Sequence, residues 1–270
     1  MSPGRAQRTS AAVPDLFDMK LRSLRRDRAA RTGPELFLHE RAFEDCLERL
    51  RLIPRKFGRG LLIGCPDSQW AERLSPFAEA VDTADPGSRF AERINGRILI
   101  EDAWLPEAAS YDLVLSIGTL DTVNDLPLAL RLIGHSMTAD GLFLGAASGG
   151  DTLPELRSAM RAADAVTGVA APHVHPRIEA SALAPLLADA GFLHPVVDVD
   201  RVAVSYPSLD RLVSDLRAMG ATNLLRGRPH FVGKRARAAA VTAFAEAARD
   251  CRTVETFEIL HFAAWTPKER

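Results

Sequence analysis

After Gly58, short apolar runs alternate with helical patterns of similar length. Between the fourth and fifth runs lies an apolar helical pattern over residues 126–137, which Asn124-Asp125 would cap and in which Pro127 occupies the first turn. Apolar runs linked by helices predict buried strands of a mostly parallel sheet with right-handed crossovers. The sequence therefore predicts a doubly wound α/β domain. The five runs cover residues 60–64, 78–82, 97–102, 111–116 and 141–145.

Two helical patterns precede this region. The first, over residues 16–31, is basic and predicts an exposed amphipathic helix, whose charges form either a solvated face or a lid or partner-docking surface. The second, over residues 36–52, ends at Pro54. We divide the chain into a disordered tail (1–15), an N-terminal helical cap (16–57) and a main domain with a C-terminal cover region (58–270).

The pattern continues beyond the fifth run. The final apolar run, 256–265, is expected to be a strand inserted at the edge of the sheet. The other elements predicted there are a helix over 183–190, strand-like segments over 196–200 and 202–205, and helices over 209–219 and 234–249.

Composition excludes several classes of protein. With 270 residues and 47% apolar content the chain can bury one substantial core. Its 34 basic and 35 acidic side chains give a net charge of -1, so no overall field favours nucleic acid or an anionic membrane. No apolar run reaches the roughly 18 residues needed to span a bilayer. The three cysteines, at positions 46, 65 and 251, show neither disulfide nor zinc spacing. Free cysteines suit a reducing compartment, so a cytoplasmic location is the default expectation.

Two histidines invite a metal hypothesis. His173 and His175 form a His-x-His pair without a neighbouring cysteine or carboxylate, between Pro172 and Pro176. A rigid loop accounts for them more simply, and we expect no metal site.

Candidate ligand-binding residues follow the predicted strands. In an open parallel sheet, ligands bind beyond the carboxyl ends of the strands. Asp82 would end the second strand and Asp102 the third, where carboxylates can accept hydrogen bonds from a bound nucleoside. The remaining candidates lie after the first, third and fourth strands: Gly64 and Cys65, Ala103, and Ser116 and Ile117.

This order of strand, turn and acid resembles the class I S-adenosylmethionine-dependent methyltransferases. The resemblance implies a seven-stranded, Rossmann-like sheet. It also implies that S-adenosylmethionine is the cofactor, with its methionine part beside Gly64 and Cys65, its ribose on Asp82, its adenine near Asp102 and Ala103, and its reactive end near Ser116 and Ile117. Methyl transfer requires chiefly positioning, so no catalytic residue is assigned.

A more specific resemblance extends over residues 16–265. It is carried by Phe17-Asp18, Arg26-Asp27-Arg28-Ala29-Ala30, Val123-Asn124-Asp125-Leu126-Pro127, Gly149-Gly150-Asp151-Thr152-Leu153, Glu155-Leu156-Arg157, Ser205-Tyr206-Pro207-Ser208, Asp215-Leu216-Arg217-Ala218-Met219-Gly220 and Asn223. Through these segments the chain is similar to the complex I assembly factor arginine-hydroxylase family. That likeness implies a protein substrate, an arginine of a respiratory complex I subunit, and a role in complex I assembly.

Two segments depart from these families. Methyltransferases of this fold usually carry Gly-Cys-Gly-x-Gly after the first strand, whereas this chain has Gly64-Cys65-Pro66-Asp67-Ser68. Leu120-Asp121-Thr122 replaces the Leu-His-Trp common in the hydroxylase family. Two alternatives therefore stay open: a non-catalytic assembly chaperone whose cofactor site has degenerated, and a carboxyl methyltransferase acting on a small molecule or on acyl carrier protein.

Overall fold

A seven-stranded sheet with helices on both faces forms the described part of the protein. The computed structural model describes residues 15–228 and 232–269, so the predicted tail lies outside it except for Asp15. The strand order is β3-β2-β1-β4-β5-β7-β6, and only β7 runs antiparallel to its neighbours. This confirms the predicted doubly wound α/β fold. The strands are β1 Phe57–Ile63, β2 Ala78–Asp85, β3 Arg97–Ile98, β4 Tyr111–Ile117, β5 Met137–Ser148, β6 Leu193–Tyr206 and β7 Thr253–Trp265.

Side-chain caps start several of the helices. Asp125 accepts a hydrogen bond from the backbone nitrogen of Leu128 at 2.8 Å, and Pro127 lies in the first turn, as predicted. Asp18 and Ser208 cap the first and eighth helices in the same way. The helices are α1 Met19–Thr32, α2 Phe37–Arg51, α3 Gln69–Leu74, α4 Ser88–Arg93, α5 Leu126–Ser136, α6 Pro154–Thr167, α7 Ala180–Asp189, α8 Leu209–Ala218 and α9 Lys234–Glu246.

Several strands differ from their predicted extent. β2 continues three residues past Asp82 to Asp85, pairing with β1 throughout, because its last residues are buried although two are polar. β3 is only two residues long, so Asp102 lies in a turn rather than at a strand end.

The position predicted for the last strand is wrong. β7 lies between β5 and β6, and the edge of the sheet is formed by β6, a single strand where two segments were predicted. Burial explains the order: β7 is buried along most of its length, whereas β6 alternates between exposed and partly buried positions. A strand that is buried on both faces belongs inside a sheet, and an alternating strand tolerates an edge.

Two apolar clusters cover the faces of the sheet. One is formed with α5 and α7, and the other with α2 and α3. In the second, the rings of Phe43 and Trp70 stack with centroids 4.3 Å apart. α2 is thus fixed by core packing, and the division of the chain at residue 58 stays a prediction.

Helix α1 buries part of the basic face that was predicted to be exposed. Arg22 and Arg26 are 2% and 6% exposed, whereas Leu24 is 56% exposed. Ala29 and Ala30 are also buried, in a small cluster with Phe90. The arginines therefore point into the domain, where they must be paired with acids.

Candidate functional site

The turn after β1 keeps one indispensable glycine. Gly64 has a φ of +77°, and a Cβ added to it would lie 2.3 Å from the carbonyl oxygen of Ile117. Cys65 is fully buried, and its Sγ lies 3.1 Å from the carbonyl oxygen of Asp67. Burial raises the pKa of Cys65 to about 12, so it remains a thiol at neutral pH. The Asp67 carboxylate accepts from the backbone nitrogen of Gln69 at 2.9 Å, which leads the chain into α3.

Asp82 does not lie at the carboxyl edge of the sheet. It is half-buried in the middle of β2, opposite Leu61. Its Oδ2 accepts hydrogen bonds from the hydroxyl of Tyr111 and from Arg59, each at 2.8 Å. The prediction that Asp82 ends the strand is wrong, because β2 ends at Asp85.

Asp85 occupies the position expected of the strand-end acid. It is 0% exposed, and its Oδ1 accepts from Nε of Arg26 and from the backbone nitrogen of Gly87, each at 2.7 Å. Its Oδ2 accepts from Nη2 of Arg26, so the pair is bidentate. Burial alone would lower the pKa of Arg26, but the Asp85 carboxylate raises it, and the guanidinium stays charged.

A second buried pair follows β3. The carboxylate of Glu101 is 0% exposed and accepts from Nη1 and Nη2 of Arg22 at 2.7 and 2.9 Å. Arg22 also donates to the carbonyl oxygen of Thr119 at 2.7 Å and to the hydroxyl of Thr122 at 3.0 Å. α1 thus contributes two guanidinium groups that close over the ends of the second and third strands.

The two residues predicted for the adenine end make local contacts. Oδ2 of Asp102 accepts from the backbone nitrogens of Asn124 and Asp125 at 2.9 and 3.0 Å, which fixes the turn before α5. Ala103 closes the same turn as Asp102, its nitrogen donating to the carbonyl oxygen of Ile100 at 3.0 Å. The fold therefore uses Asp102 as a backbone acceptor.

Ser116 and Ile117 lie beside the Gly64 turn. Both are buried, and Ser116 pairs in register with Ile63, the residue before Gly64. Oγ of Ser116 lies 3.3 Å from the hydroxyl of Thr119. Of the predicted cofactor residues, the structure thus brings together Gly64, Ser116 and Ile117 with the neighbouring Cys65, but neither Asp82 nor the carboxylate of Asp102.

A cavity of about 100 Å³ opens at the carboxyl ends of β4 and β5. Its walls include His39, Ile117, Asp121 and Arg177. Asp121 and Arg177 form an ion pair whose side chains are 8% and 5% exposed. The cavity is thus largely apolar, and its two carboxylates, Asp121 and Glu258, are each paired with an arginine. No sequence motif singled out His39 or Arg177.

His39 supplies the cavity with a neutral imidazole. Burial, with Arg26 nearby, lowers the pKa of His39 to about 4. Its Nδ1 is buried without a hydrogen-bond partner in the described part of the chain. Gly118 leaves room for the ring, because a Cβ there would lie 3.1 Å from Cδ2 of His39. The neutral ring can therefore form a hydrogen bond with a group held in the cavity.

The motif residues that carry the sequence resemblance mostly join separate segments. The backbone nitrogen of Phe17 donates to Asn124, and the side-chain amide of Asn124 returns a bond to the carbonyl oxygen of Phe17, at 2.8 and 3.2 Å. Thr152 exchanges hydrogen bonds with the backbone of Glu258 on β7. The conspicuous motifs thus stabilise the fold around the site.

The His-x-His pair is held by hydrogen bonds. Nε2 of His173 lies 2.7 Å from a carboxylate oxygen of Asp164, and Nε2 of His175 accepts from the backbone nitrogen of Leu224 at 2.7 Å. Across residues 15–228 and 232–269, no group of three or more His, Cys, Asp or Glu side chains is arranged to hold a metal ion.

The strand order and the glycine turn at the carboxyl edge define a class I methyltransferase fold. YcgJ from Bacillus subtilis aligns with 85% of this chain and 99% of its own length, with a TM-score of 0.56 and 12% identity. Phosphoethanolamine N-methyltransferase 2 from Haemonchus contortus, solved with S-adenosyl-L-methionine, aligns with 90% of this chain and 60% of its own at a TM-score of 0.52 and 16% identity. At such identities the likeness shows the fold alone.

Sequence comparison then identifies the family. The mitochondrial arginine-hydroxylase NDUFAF5 of Homo sapiens is 32% identical over 271 residues, covering 95% of this chain and 79% of the relative. That of Danio rerio is 30% identical, covering 94% and 84%. The chain belongs to the NDUFAF5 arginine-hydroxylase family, which confirms the resemblance.

Other comparisons add two findings. Malonyl-[acyl-carrier protein] O-methyltransferase of Xylella fastidiosa is 36% identical, but over only 60% of this chain and 55% of the relative. No protein-family model matches the chain. Within the described residues, no helix is both long and apolar enough to cross a membrane.

Breaking the Arg22–Glu101 pair should strongly destabilise the protein. Arg22→Met leaves the Glu101 carboxylate buried without its cation, which we expect to cost about 3–5 kcal/mol of unfolding free energy in urea titration. The double variant Arg22→Met/Glu101→Gln should recover most of that loss, because no buried charge remains. Lys20→Met, at an exposed position of the same helix, is the control and should change stability by less than about 0.5 kcal/mol. Equal stability of the two single variants would contradict this account.

Acid should destabilise the protein through His175. Burial, with Arg177 nearby, lowers the pKa of His175 to about 3 in the folded chain. The unfolded state therefore binds the proton first, and the stability present above about pH 6.5 is lost as pH falls below it, by about 1.4 kcal/mol at pH 5.5. His175→Gln keeps an acceptor for Leu224 and should lose correspondingly less stability between pH 7.5 and 5.5 in urea titrations. His135→Gln, at an exposed histidine, should match the wild type, and a wild-type pH slope in His175→Gln would refute the assignment.

Proposed function

We propose that this protein binds S-adenosylmethionine at the carboxyl edge of its sheet and modifies a side chain of a protein substrate. Arginine hydroxylation on a subunit of respiratory complex I is the reaction we favour, in line with the name of the relatives and with the resemblance. The observation that carries the proposal is the identity of 32% over 95% of the chain with a named arginine-hydroxylase. The cytoplasmic location also remains a proposal, and cell fractionation would test it.

The residue types at the edge suit a nucleoside cofactor, but the arginines of α1 cover them. Asp85 ends β2, where a carboxylate can accept from both ribose hydroxyls, and the Gly64 turn brings bare backbone beside it. Arg26 already occupies both carboxylate oxygens, and Arg22 does the same at Glu101. We therefore propose that α1 acts as a lid, which must move or release its arginines before the cofactor binds.

S-adenosylmethionine, when bound, supplies an electrophilic methyl group on sulfur. The neutral ring of His39 then positions the acceptor through a hydrogen bond. Hydroxylation instead replaces a C–H bond with C–OH. If dioxygen is the oxidant, its second oxygen atom leaves as water and a reductant must supply two electrons. Identifying the modified product distinguishes methyl transfer from hydroxylation.

The affinity for S-adenosylmethionine should depend on Asp85 and not on Asp82. Isothermal titration of the wild type with S-adenosylmethionine should show saturable binding, and Asp85→Asn should weaken it at least about tenfold, which corresponds to about 1.4 kcal/mol. Asp82→Asn is the matched control and should bind as the wild type does, since Asp82 lies away from the edge. Arg26→Gln should bind more tightly, because the competing guanidinium is gone. Folded wild type that binds no cofactor would exclude the enzyme proposal.

The substrate can be identified from the modification that is lost when cells lack this protein. Mass spectrometry of complex I subunits from cells lacking this protein should show one missing modification, restored by the wild-type chain and not by Asp85→Asn. An unchanged spectrum would contradict the enzymatic reading.

A second candidate is a non-catalytic assembly chaperone. The buried arginine pairs and the Pro66-Asp67-Ser68 turn favour it, since both reduce access to the cofactor position. Deleting α1 would leave two buried acids unpaired, so a surface variant is the better test. Leu24→Glu on the exposed side of α1 should abolish capture of a complex I subunit if α1 is the docking surface, and Lys20→Met should not.

The overlap with malonyl-[acyl-carrier protein] O-methyltransferase gives a third possibility. An assay for methyl ester formation on malonyl-acyl carrier protein distinguishes it, since the favoured function predicts no ester.

A further inference from the structure

A larger cavity of about 560 Å³ adjoins the candidate site. α1, α6 and α8 border it together with the loop that carries His173 and His175. Among the described residues that line it, none is an aspartate or glutamate. Five arginines face it: Arg25, Arg28, Arg177, Arg217 and Arg228.

Much of this positive charge is not neutralised. In the described part of the chain no ion pair is formed by Arg25, Arg28 or Arg217, and Arg228 has only Asp18, at 3.6 Å. Nη1 of Arg25 is buried without a hydrogen-bond partner among the described residues. Burial, with the cations Arg228 and Arg28 nearby, lowers the pKa of Arg25 to about 10, so it is still charged at neutral pH.

Arg177 also has a buried guanidinium nitrogen without a hydrogen-bond partner among the described residues. Its side chain is 5% exposed, and Nη1 is paired with Asp121, but its Nε has no partner among the described residues. Buried guanidinium nitrogens without acceptors are costly, and a bound anion would supply the missing acceptors.

Apolar side chains also line the cavity. They would contact carbon atoms of a ligand whose charged end meets the arginines. The volume falls within the range of small-molecule sites, roughly 300–1,000 Å³. The apolar lining includes Leu153, Leu156, Met160, Val213 and Leu216.

The two cavities share part of their walls. Leu153, Arg177, Leu216 and Ala221 line both of them. A ligand in the basic cavity would therefore reach toward Ile117 and His39, at the end of the sheet where the cofactor's reactive end is proposed to lie. A substrate arginine would be repelled by the five cations, so this cavity is unsuited to the residue that the relatives are named for modifying.

We propose that this cavity binds a small organic anion with at least two negative charges at one end and an apolar body, a phosphate ester or a dicarboxylate. The inference rests on the cavity alone and does not require the proposed function. The charged end lies among Arg25, Arg177 and Arg228, and the apolar body lies on Leu156 and Val213.

Phenyl phosphate and benzylmalonate serve as probes for the two kinds of anion, since each carries its two negative charges at one end and an apolar ring at the other. In thermal unfolding of the full chain at constant ionic strength, one of them should raise Tm saturably, and calorimetry should give a Kd. Arg25→Gln should weaken that binding at least tenfold without lowering the Tm of the free protein, because the lost guanidinium nitrogen had no partner. Arg131→Gln, at an exposed arginine on α5, is the matched control and should bind as the wild type does.

A second variant, at exposed arginines, tests the proposal even if Arg25→Gln does not fold. If Arg25→Gln fails to fold, the double variant Arg28→Gln/Arg217→Gln removes two surface charges from the cavity mouth and should weaken binding at least tenfold. Unchanged affinity in the folded cavity variants, equal weakening by Arg131→Gln, or no binding of either probe would overturn the proposal. The same wild-type protein is titrated separately with S-adenosylmethionine and with the probe, so a failure of the cofactor proposal is distinguishable from a failure of this one.

Discussion

Two buried arginine–carboxylate pairs hold helix α1 on the carboxyl edge of the sheet. Arg22 binds Glu101 and Arg26 binds Asp85, and all four side chains are less than one-tenth exposed. Removing such charges from water costs several kcal/mol per ion, and only well-formed partner bonds offset it. α1 therefore has little freedom to be partly docked: each arginine is either paired with its acid or returned to water. The acids it covers lie where this fold offers acceptors to a nucleoside, so under the proposed function the contact that stabilises the helix also controls access to the cofactor site.

The same helix couples that edge to the basic cavity. Arg22 and Arg26 are four residues apart and share one face of α1, whereas Arg25 lies on the neighbouring face and enters the cavity. A movement of α1 that frees Asp85 would also withdraw Arg25. Binding of an anion beside Arg25 would conversely favour the docked helix. Access to the carboxyl edge and occupancy of the basic cavity are thus linked through one rigid element.

The sequence supported the sheet and the family more securely than the site. The apolar runs and the helical patterns between them were sufficient to predict a mostly parallel sheet, because burial acts locally, but not the short β3 or the interior position of β7. Asp82 was assigned to the strand end because the apolar run appeared to end there, but β2 continues through buried polar residues. The roles of Arg22 and Arg26 depend on partners more than 50 residues away, which no local pattern reveals. A basic helix normally exposes its charges, and only the acids placed under it by the fold reverse that expectation.

Arg177 connects the two cavities chemically. Its Nη1 neutralises Asp121 in the small cavity, while its Nε is buried without an acceptor among the described residues. An anion bound in the basic cavity would compete with Asp121 for the same guanidinium. As that ion pair weakens, Asp121 becomes an unpaired carboxylate beside His39, which is the acceptor that a cationic side chain needs in order to enter the small cavity. The replacement of the family's Leu-His-Trp by Leu120-Asp121-Thr122 then exchanges an aromatic wall for a carboxylate whose availability depends on Arg177.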